Sequence, residues 1–283
     1  MPERLAPVNV ALLPDADDVP PEHALLVVDM KDYSQIAEAK MAPTRADLDD
    51  ILSTVFAHSG IGDVARLDRA VKDRGDGAIF VLPARHAARL VDPLLSHLAQ
   101  ALARREQTRL ASSPTIRLRA SVHVGPLESS AHRGDAANDA CRYVDSNAVR
   151  RAMAAALDHG LYLAAAVSDT VFGRAVRAGR TKTLGVHHFQ QATARVDGKA
   201  GFEETCWLHV PGLVPAVISP YLTAGHGTPP PADAGTPAAQ SDVPDAGTGE
   251  QGSPAPVRQK GKASGKARLV QVGRDYTTGP EQS

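Results

Sequence analysis

The sequence predicts an α+β fold: a ferredoxin-like palm, an antiparallel-cored sheet with helices on one face, followed by a disordered C-terminal tail. Three observations carry that prediction. Between residues 21 and 212 the apolar runs alternate between strand-like and helix-like spacing in the order β-α-β-β-α-β-α-β-α-β-β. Gly75-Asp76-Gly77 stands between two strand-like runs as a hairpin turn. From about Pro215 the composition shifts to Pro, Gly, Ala, Ser and Thr, which cannot bury enough apolar surface to order itself.

Ala24–Met30 reads as a fully buried strand, and Asp47–His58 as a helix closed by Gly60. Leu67–Lys72 and Ala78–Leu82 are two strands whose connecting glycines tolerate positive φ. Leu90, Val91, Leu94, Leu95, Leu98 and Leu102 recur at helical spacing, so Ala84–Arg105 is expected to be one amphipathic helix. Thr115–Val124 is a strand ended by Gly125-Pro126, and Ala136–His159 is helical in two pieces, stopped by Gly160. Leu161–Val167 is a strand, Ser168 caps a helix over Asp169–Arg177, and Leu184–Val196 with Glu203–Val210 close the domain as a hairpin. Four regions follow: a flexible arm over 1–20, a folded domain over 21–212, a disordered Pro/Gly/Ala-rich linker over 213–256, and a basic tail over 257–283.

Composition narrows the function classes. The chain has 283 residues, enough for one large domain or two small ones, and is 43% hydrophobic but only 4% aromatic, so Ala, Val and Leu must fill the core. Its 31 basic and 32 acidic residues leave a net charge of −1, and nothing global argues for nucleic acid or a membrane surface. The two cysteines, Cys141 and Cys206, do not make a disulfide framework and suit a reducing compartment. No apolar run reaches the about 18 residues of a membrane span, and the N-terminus lacks a signal-peptide pattern. A soluble cytoplasmic protein is expected.

The candidate chemistry rests on four residues. Asp29 sits at the end of the apolar run Ala24-Leu-Leu-Val-Val-Asp-Met30, and Asp76 in the Gly-Asp-Gly turn. Gly-Asp-Gly is also an ordinary turn, but a carboxylate ending a buried strand is expensive unless something pairs it, which favours reading the two together as hard-oxygen ligands for a cation. Asn138 and Arg142 are four apart on a predicted helix and share one face. Arginine suits a phosphate because its fork donates two hydrogen bonds.

In this order and context the residues resemble the class III nucleotidyl cyclases, the adenylate/guanylate cyclase catalytic domain. Gly134-Asp-Ala-Ala-Asn138-Asp-Ala-Cys-Arg142 is similar to the family's Gly-x-x-Val-Asn-x-Ala-x-Arg pattern, Arg119-Ala-Ser-Val-His-Val-Gly125 to its Arg-x-Gly-x-His-x-Gly strand, and Val167-Ser168-Asp169-Thr170 to its Val-Ser helix start. The resemblance spans about residues 21–212. It implies that Asp29 and Asp76 hold two Mg²⁺ or Mn²⁺ ions, that Asn138 orients the ribose, and that Arg142 stabilises charge on the α-phosphate. It places a triphosphate-binding turn at Asp32-Tyr33-Ser34, where Tyr33 and Ser34 are mild replacements and Asp32 puts a charged side chain where the family keeps glycine. Lys72 stands at the base-reading position of adenylate cyclases, Ala131 stands where its partner carboxylate is expected, and Lys199 lies in the hairpin where the family keeps a phosphate-binding lysine. The base is therefore adenine or a pyrimidine.

Because the family builds each site from two subunits, and this chain carries both halves, the resemblance implies a homodimer with composite sites and a nucleoside triphosphate substrate. Asp32 and Ala131 motivate the alternative, a catalytically impaired pseudo-cyclase that binds a nucleotide or a partner. The histidines and cysteines show no paired metal-ligand spacing, and no Gly-x-Ser-x-Gly elbow or Walker loop occurs; His123 reads as a core histidine. In the tail, Arg258, Lys260, Lys262, Lys266, Arg268 and Arg274 make a solubilising basic run, or flank a short strand, Leu269–Val272, that adds to a protein partner's sheet edge.

Overall fold

The computed structural model describes residues 19–62, 72–73, 76–127, 134–198 and 201–223, with the side chains of Lys72 and Asp73 excepted. β1 (Glu22–Met30) is central because its apolar side chains point to both faces of the sheet, every residue from Ala24 to Met30 being buried. α1 (Glu38–His58) follows, then β2 (Lys72–Asp73) and β3 (Gly77–Pro83). After short helical turns that include α2 (Ala87–Arg89) come α3 (Leu95–Thr108) and β4 (Leu118–Pro126). α4 (Asp135–Asp145), α5 (Asn147–Asp158), β5 (Leu163–Ser168), α6 (Asp169–Val171), β6 (Gln190–Arg195), β7 (Glu203–His209) and α7 (Pro215–Thr223) complete the order.

The strands form one seven-stranded sheet in the order β2-β3-β1-β4-β5-β7-β6. β1 pairs antiparallel with β3 and with β4, and β2 pairs antiparallel with β3, so the first four strands stand in the ferredoxin-like order β4-β1-β3-β2. β4 and β5 are parallel, and a crossover through α4 and α5 connects them. The antiparallel β5–β7 and β7–β6 pairs extend the sheet.

Helices cover both faces, which corrects the expectation of helices on one face. Ala24, Leu26, Val28 and Met30 pack with Leu48, Leu52 and Phe56 of α1 and Leu95, Leu98 and Leu102 of α3. The alternate residues Leu25 and Val27 join Ile79, Val81 and the α4 residues Ala136, Ala137, Ala140 and Val144 on the other face. Farther along that face, Ala164, Ala166, Cys206 and Leu208 meet Val149, Ala152, Met153 and Ala156 of α5. A strand apolar at every position demands this double cover, since side chains alternate between faces. The Ala-rich β5 and α5 let helix and sheet approach closely, which is how a chain poor in aromatics fills its core.

Three local expectations change. α1 begins at Glu38 rather than Asp47, and Thr44, whose hydroxyl donates to the Lys40 carbonyl at 2.7 Å, is buried within it. The single helix expected over Ala84–Arg105 is interrupted at Asp92 (φ −144°, ψ 112°), ahead of Pro93, because a residue before proline is driven out of the α region. Pro215–Thr223, placed by composition in the linker, is helical, and the wholly buried Ile218 anchors it against the α5 face. The hairpin closing the domain, the two-piece helix, and the Ser168 cap, whose Oγ accepts from Val171 N–H at 3.5 Å, follow the sequence reading.

Candidate active site

The register of β1 against β3 brings the two carboxylate positions together. Gly77 pairs with Asp29, and Met30 N–H donates to the Asp76 carbonyl oxygen at 2.8 Å. Asp29 and Asp76 thus occupy neighbouring positions at one end of the sheet. Gly77 is required for a reason other than turn conformation: a Cβ there would lie 2.2 Å from the Val28 carbonyl oxygen and 3.2 Å from Asp29 Cα. Positive φ is not its role, since Gly77 is absent from the left-handed glycines; Gly75 lies outside the described residues.

Asp29 is 8% exposed, and Asp76 is half-buried. The Asp29 carboxylate accepts from Arg119, its register partner on β4, through Nε at 3.0 Å and through Nη2. Burial pushes the Asp29 carboxyl above its usual range; Arg119 pulls it back down, and the charges of Asp76 and Asp145 push it up again. The carboxylates of Asp29 and Asp76 at this end of the sheet are suited to hold a cation beside Arg119. Among the described residues no group of three or more His, Cys, Asp or Glu side chains could hold a metal, so an ion here relies on Asp29 and Asp76. The sequence pattern gives Arg119 a place in a strand and no role in the site. The signal that finds it is the alternation Arg119, Ser121, His123, Gly125, which puts four unusual residues on one face of a strand.

That face of β4 is the seat of α4. Ser121 Oγ donates to the Ala140 carbonyl at 2.6 Å, His123 lies 5.6 Å from the Tyr143 ring, and Gly125 admits Ala136, whose Cβ would be 2.8 Å from a Cβ at Gly125. Burial lowers the His123 pKa, in keeping with a core histidine. On the side of α4 away from the core, Asn138 is exposed. Arg142 is half-buried, donates to Asp139 Oδ1 at 2.9 Å, and has its Cζ 5.4 Å from the centroid of the Phe202 ring. Ala136 is level with Gly125 and Ala140 with Ser121, so Asn138 is level with His123, which pairs with Leu25. Asn138 and Arg142 are thus carried by the helix seated on β4, the strand that also bears Arg119.

Tyr33 and Ser34 form a 3-10 turn, Tyr33–Gln35, directly after β1. Asp32 enters it in the left-handed conformation, φ 62° and ψ 21°, the backbone state that a glycine adopts most readily. Its carboxylate pairs with Lys31. Lys72 is in β2 opposite Ile79, and its side chain is outside the described residues. Lys199, Ala131 and the basic run of the tail also lie outside them. No helix of the described residues is long and apolar enough to cross a membrane. Cys141 and Cys206 are not joined in a disulfide, and burial pushes the Cys206 thiol up to about 12.

No family model matches the chain, and no curated protein matches it. Several solved structures are similar to it. The adenylate/guanylate cyclase/hydrolase from Silicibacter pomeroyi is 20% identical, with 68% of this chain and 98% of that one covered and a TM-score of 0.44. The catalytic core of a rhodopsin-guanylyl cyclase with converted specificity is 15% identical, with 68% and 97% covered and a TM-score of 0.42. The guanylyl cyclase domain of the RhoGC fusion protein from the aquatic fungus Blastocladiella emersonii, described as a non-canonical dimer, is 13% identical, with 68% and 96% covered and a TM-score of 0.41.

Proposed function

We propose that the chain is a nucleotidyl cyclase that converts a nucleoside triphosphate into its 3′,5′-cyclic monophosphate and pyrophosphate. The observation that carries this reading is the β1–β3 register, which sets Asp29 and Asp76 side by side at one end of a palm-type sheet. Their hard oxygens fit Mg²⁺ or Mn²⁺, two ions per site, and a cation beside the buried Asp29 would favour its ionised form. Such ions, when bound, neutralise phosphate charge and make the ribose 3′-hydroxyl a better nucleophile. The 3′ oxygen forms a bond to the α-phosphorus, the bond from that phosphorus to the pyrophosphate oxygen breaks, and the hydroxyl proton passes to solvent.

The chain's own groups then have the following parts. Asp29 and Asp76 hold the ions, and Arg119 keeps the Asp29 carboxylate oriented until they arrive. The Tyr33–Ser34 turn receives the triphosphate, with Lys199 as a further phosphate contact. Arg142 stabilises charge on the α-phosphate, Asn138 orients the ribose, and Lys72 reads the base, adenine or a pyrimidine. The exposure of Asn138 on the outer side of α4 supports a two-fold homodimer in which each site takes its carboxylates from one protomer and its Asn/Arg pair from the other.

The test incubates purified protein with ATP, GTP, CTP and UTP plus Mn²⁺ and detects cyclic monophosphates by mass spectrometry. A product that disappears in Asp76→Ala is expected. Mixing inactive Asp29→Asn and Arg142→Ala protomers is expected to recover up to about a quarter of the activity, because half the dimers are then mixed and each holds one intact site. Absence of product from all four nucleotides in a folded dimer would overturn the enzymatic reading. It would favour the second one, a pseudo-cyclase that binds without turnover, for which the Arg119–Asp29 ion pair and the Asp32 carboxylate are the supporting observations.

A further inference from the structure

We propose that the chain carries a second ligand site, for a phosphate group, in a cavity beyond the end of β1. The cavity measures about 340 Å³ and is lined by Lys31, Lys40 and Arg117, with Asp32 as its acidic wall and Ser113 beside them. Neither Asp29 nor Asp76 lines it. Three cations face one carboxylate, so its field favours an anion.

The three cations are not equally engaged. Lys31 pairs with Asp32, and Lys40 donates to the Ser112 carbonyl oxygen. Arg117 has no side-chain hydrogen bond among the described residues, and its Nε is buried without a partner. Buried donors are nearly always paired, so an arginine left this way in a cationic cavity points to an absent acceptor. The guanidinium fork matches two oxygens of one anion, and two ammonium groups add charge for a dianion. A phosphate monoester or pyrophosphate fits this chemistry better than a carboxylate, which carries a single charge. The volume admits a group larger than inorganic phosphate. An anion in the cavity would also compete with Asp32 for Lys31, so its occupancy bears on the turn that leads into Tyr33 and Ser34. The site does not depend on the cyclase reading.

The experiment titrates the full chain with inorganic phosphate, pyrophosphate and adenosine 5′-monophosphate at constant ionic strength, with acetate as the reference anion. Binding is read by calorimetry and by the thermal unfolding midpoint from the fluorescence of Trp207, the single tryptophan. Saturable binding with a raised midpoint is expected in wild type and equally in Asp76→Ala. Arg117→Gln and Lys40→Gln are each expected to weaken Kd by about tenfold or more, in line with loss of a charge-assisted contact; should Arg117→Gln fail to fold, Lys40→Gln carries the test. A response to phosphate or pyrophosphate assigns a free anion, and a response to the monophosphate alone assigns a nucleotide. Binding that is absent, matched by acetate, unchanged in both variants, or lost in Asp76→Ala would overturn the proposal; the last outcome would move the anion to the carboxylate end. Because no triphosphate is used, failure here is distinguishable from failure to form a cyclic product.

Discussion

Asp29 and Asp92 are buried to nearly the same depth, 8% and 5% exposed, yet their surroundings are opposite. Asp92 accepts the backbone N–H groups of Lys182 and Thr183 at 2.6 Å each, that of Leu184 at 3.3 Å, and the Thr183 hydroxyl at 2.9 Å. Burial alone would raise its carboxyl, but those donors outweigh burial and hold it below the usual range. Asp29 has one counter-ion, Arg119, and two carboxylates in its field, and its carboxyl is raised. Satisfaction separates the two. Asp92 is complete and ties the interrupted helix to the 182–184 loop, whereas the buried Asp29 has the Arg119 guanidinium alone to set against burial and its neighbouring carboxylates.

The largest expected effect is on turnover: Asp29→Asn or Asp76→Ala should lower cyclic product formation by about 10³-fold or more, roughly 4 kcal/mol of transition-state stabilisation. Product formation by either variant near the wild-type rate would show that the carboxylates are not a metal pair. Asp92→Ala should instead destabilise the fold by about 3 kcal/mol, since it strands several buried donors. Its unfolding midpoint should fall by roughly 6–12 °C, while turnover per folded molecule stays unchanged.

Acid should separate the groups further. Burial pushes His209 down to about 4, so the folded chain keeps it neutral while the unfolded chain protonates it below about 6.5. Stability should therefore fall as pH drops between those values, by about 3 kcal/mol in total. His209→Gln should flatten that slope in urea titrations. The contribution of Asp92 is present above the unfolded value near 4 and is lost as pH falls through its lower folded value. Asp29 acts in the other direction: stability declines as pH rises from near 4 through its raised folded value. The smallest effect is on Asp29→Asn stability, measured in urea, because the amide oxygen still accepts from Arg119 and a buried charge is gone.

Which parts could be seen in the sequence follows from the range of the forces involved. The buried strand Ala24–Met30, the hairpin and the helix caps were legible, because apolar runs and short polar motifs act locally. The proximity of Asp29 and Asp76 was legible too, since consecutive strand and hairpin segments set it. The Arg119–Asp29 pair joins residues far apart in the chain, and only the sheet register discloses it. Asp92 hid inside a leucine periodicity that continues on both sides of the break; the Asp-Pro dipeptide was the available sign. Pro215–Thr223 was obscured by its own prolines, and the buried Ile218, not helix propensity, holds it in place. The placing of Asn138 and Arg142 depends on how α4 seats against β4, which no local pattern encodes.

That seating has an evolutionary consequence. Gly125 and Ala136 together leave no room for another carbon, so α4 lies against the sheet at a minimum spacing fixed by two of the smallest side chains. A substitution of Gly125 by alanine would push outward the helix that bears Asn138 and Arg142 without altering either residue. In a lineage diverging under weak constraint, this pair of positions offers a route to silence: the helix would drift out of alignment while every recognisable motif survived in the sequence.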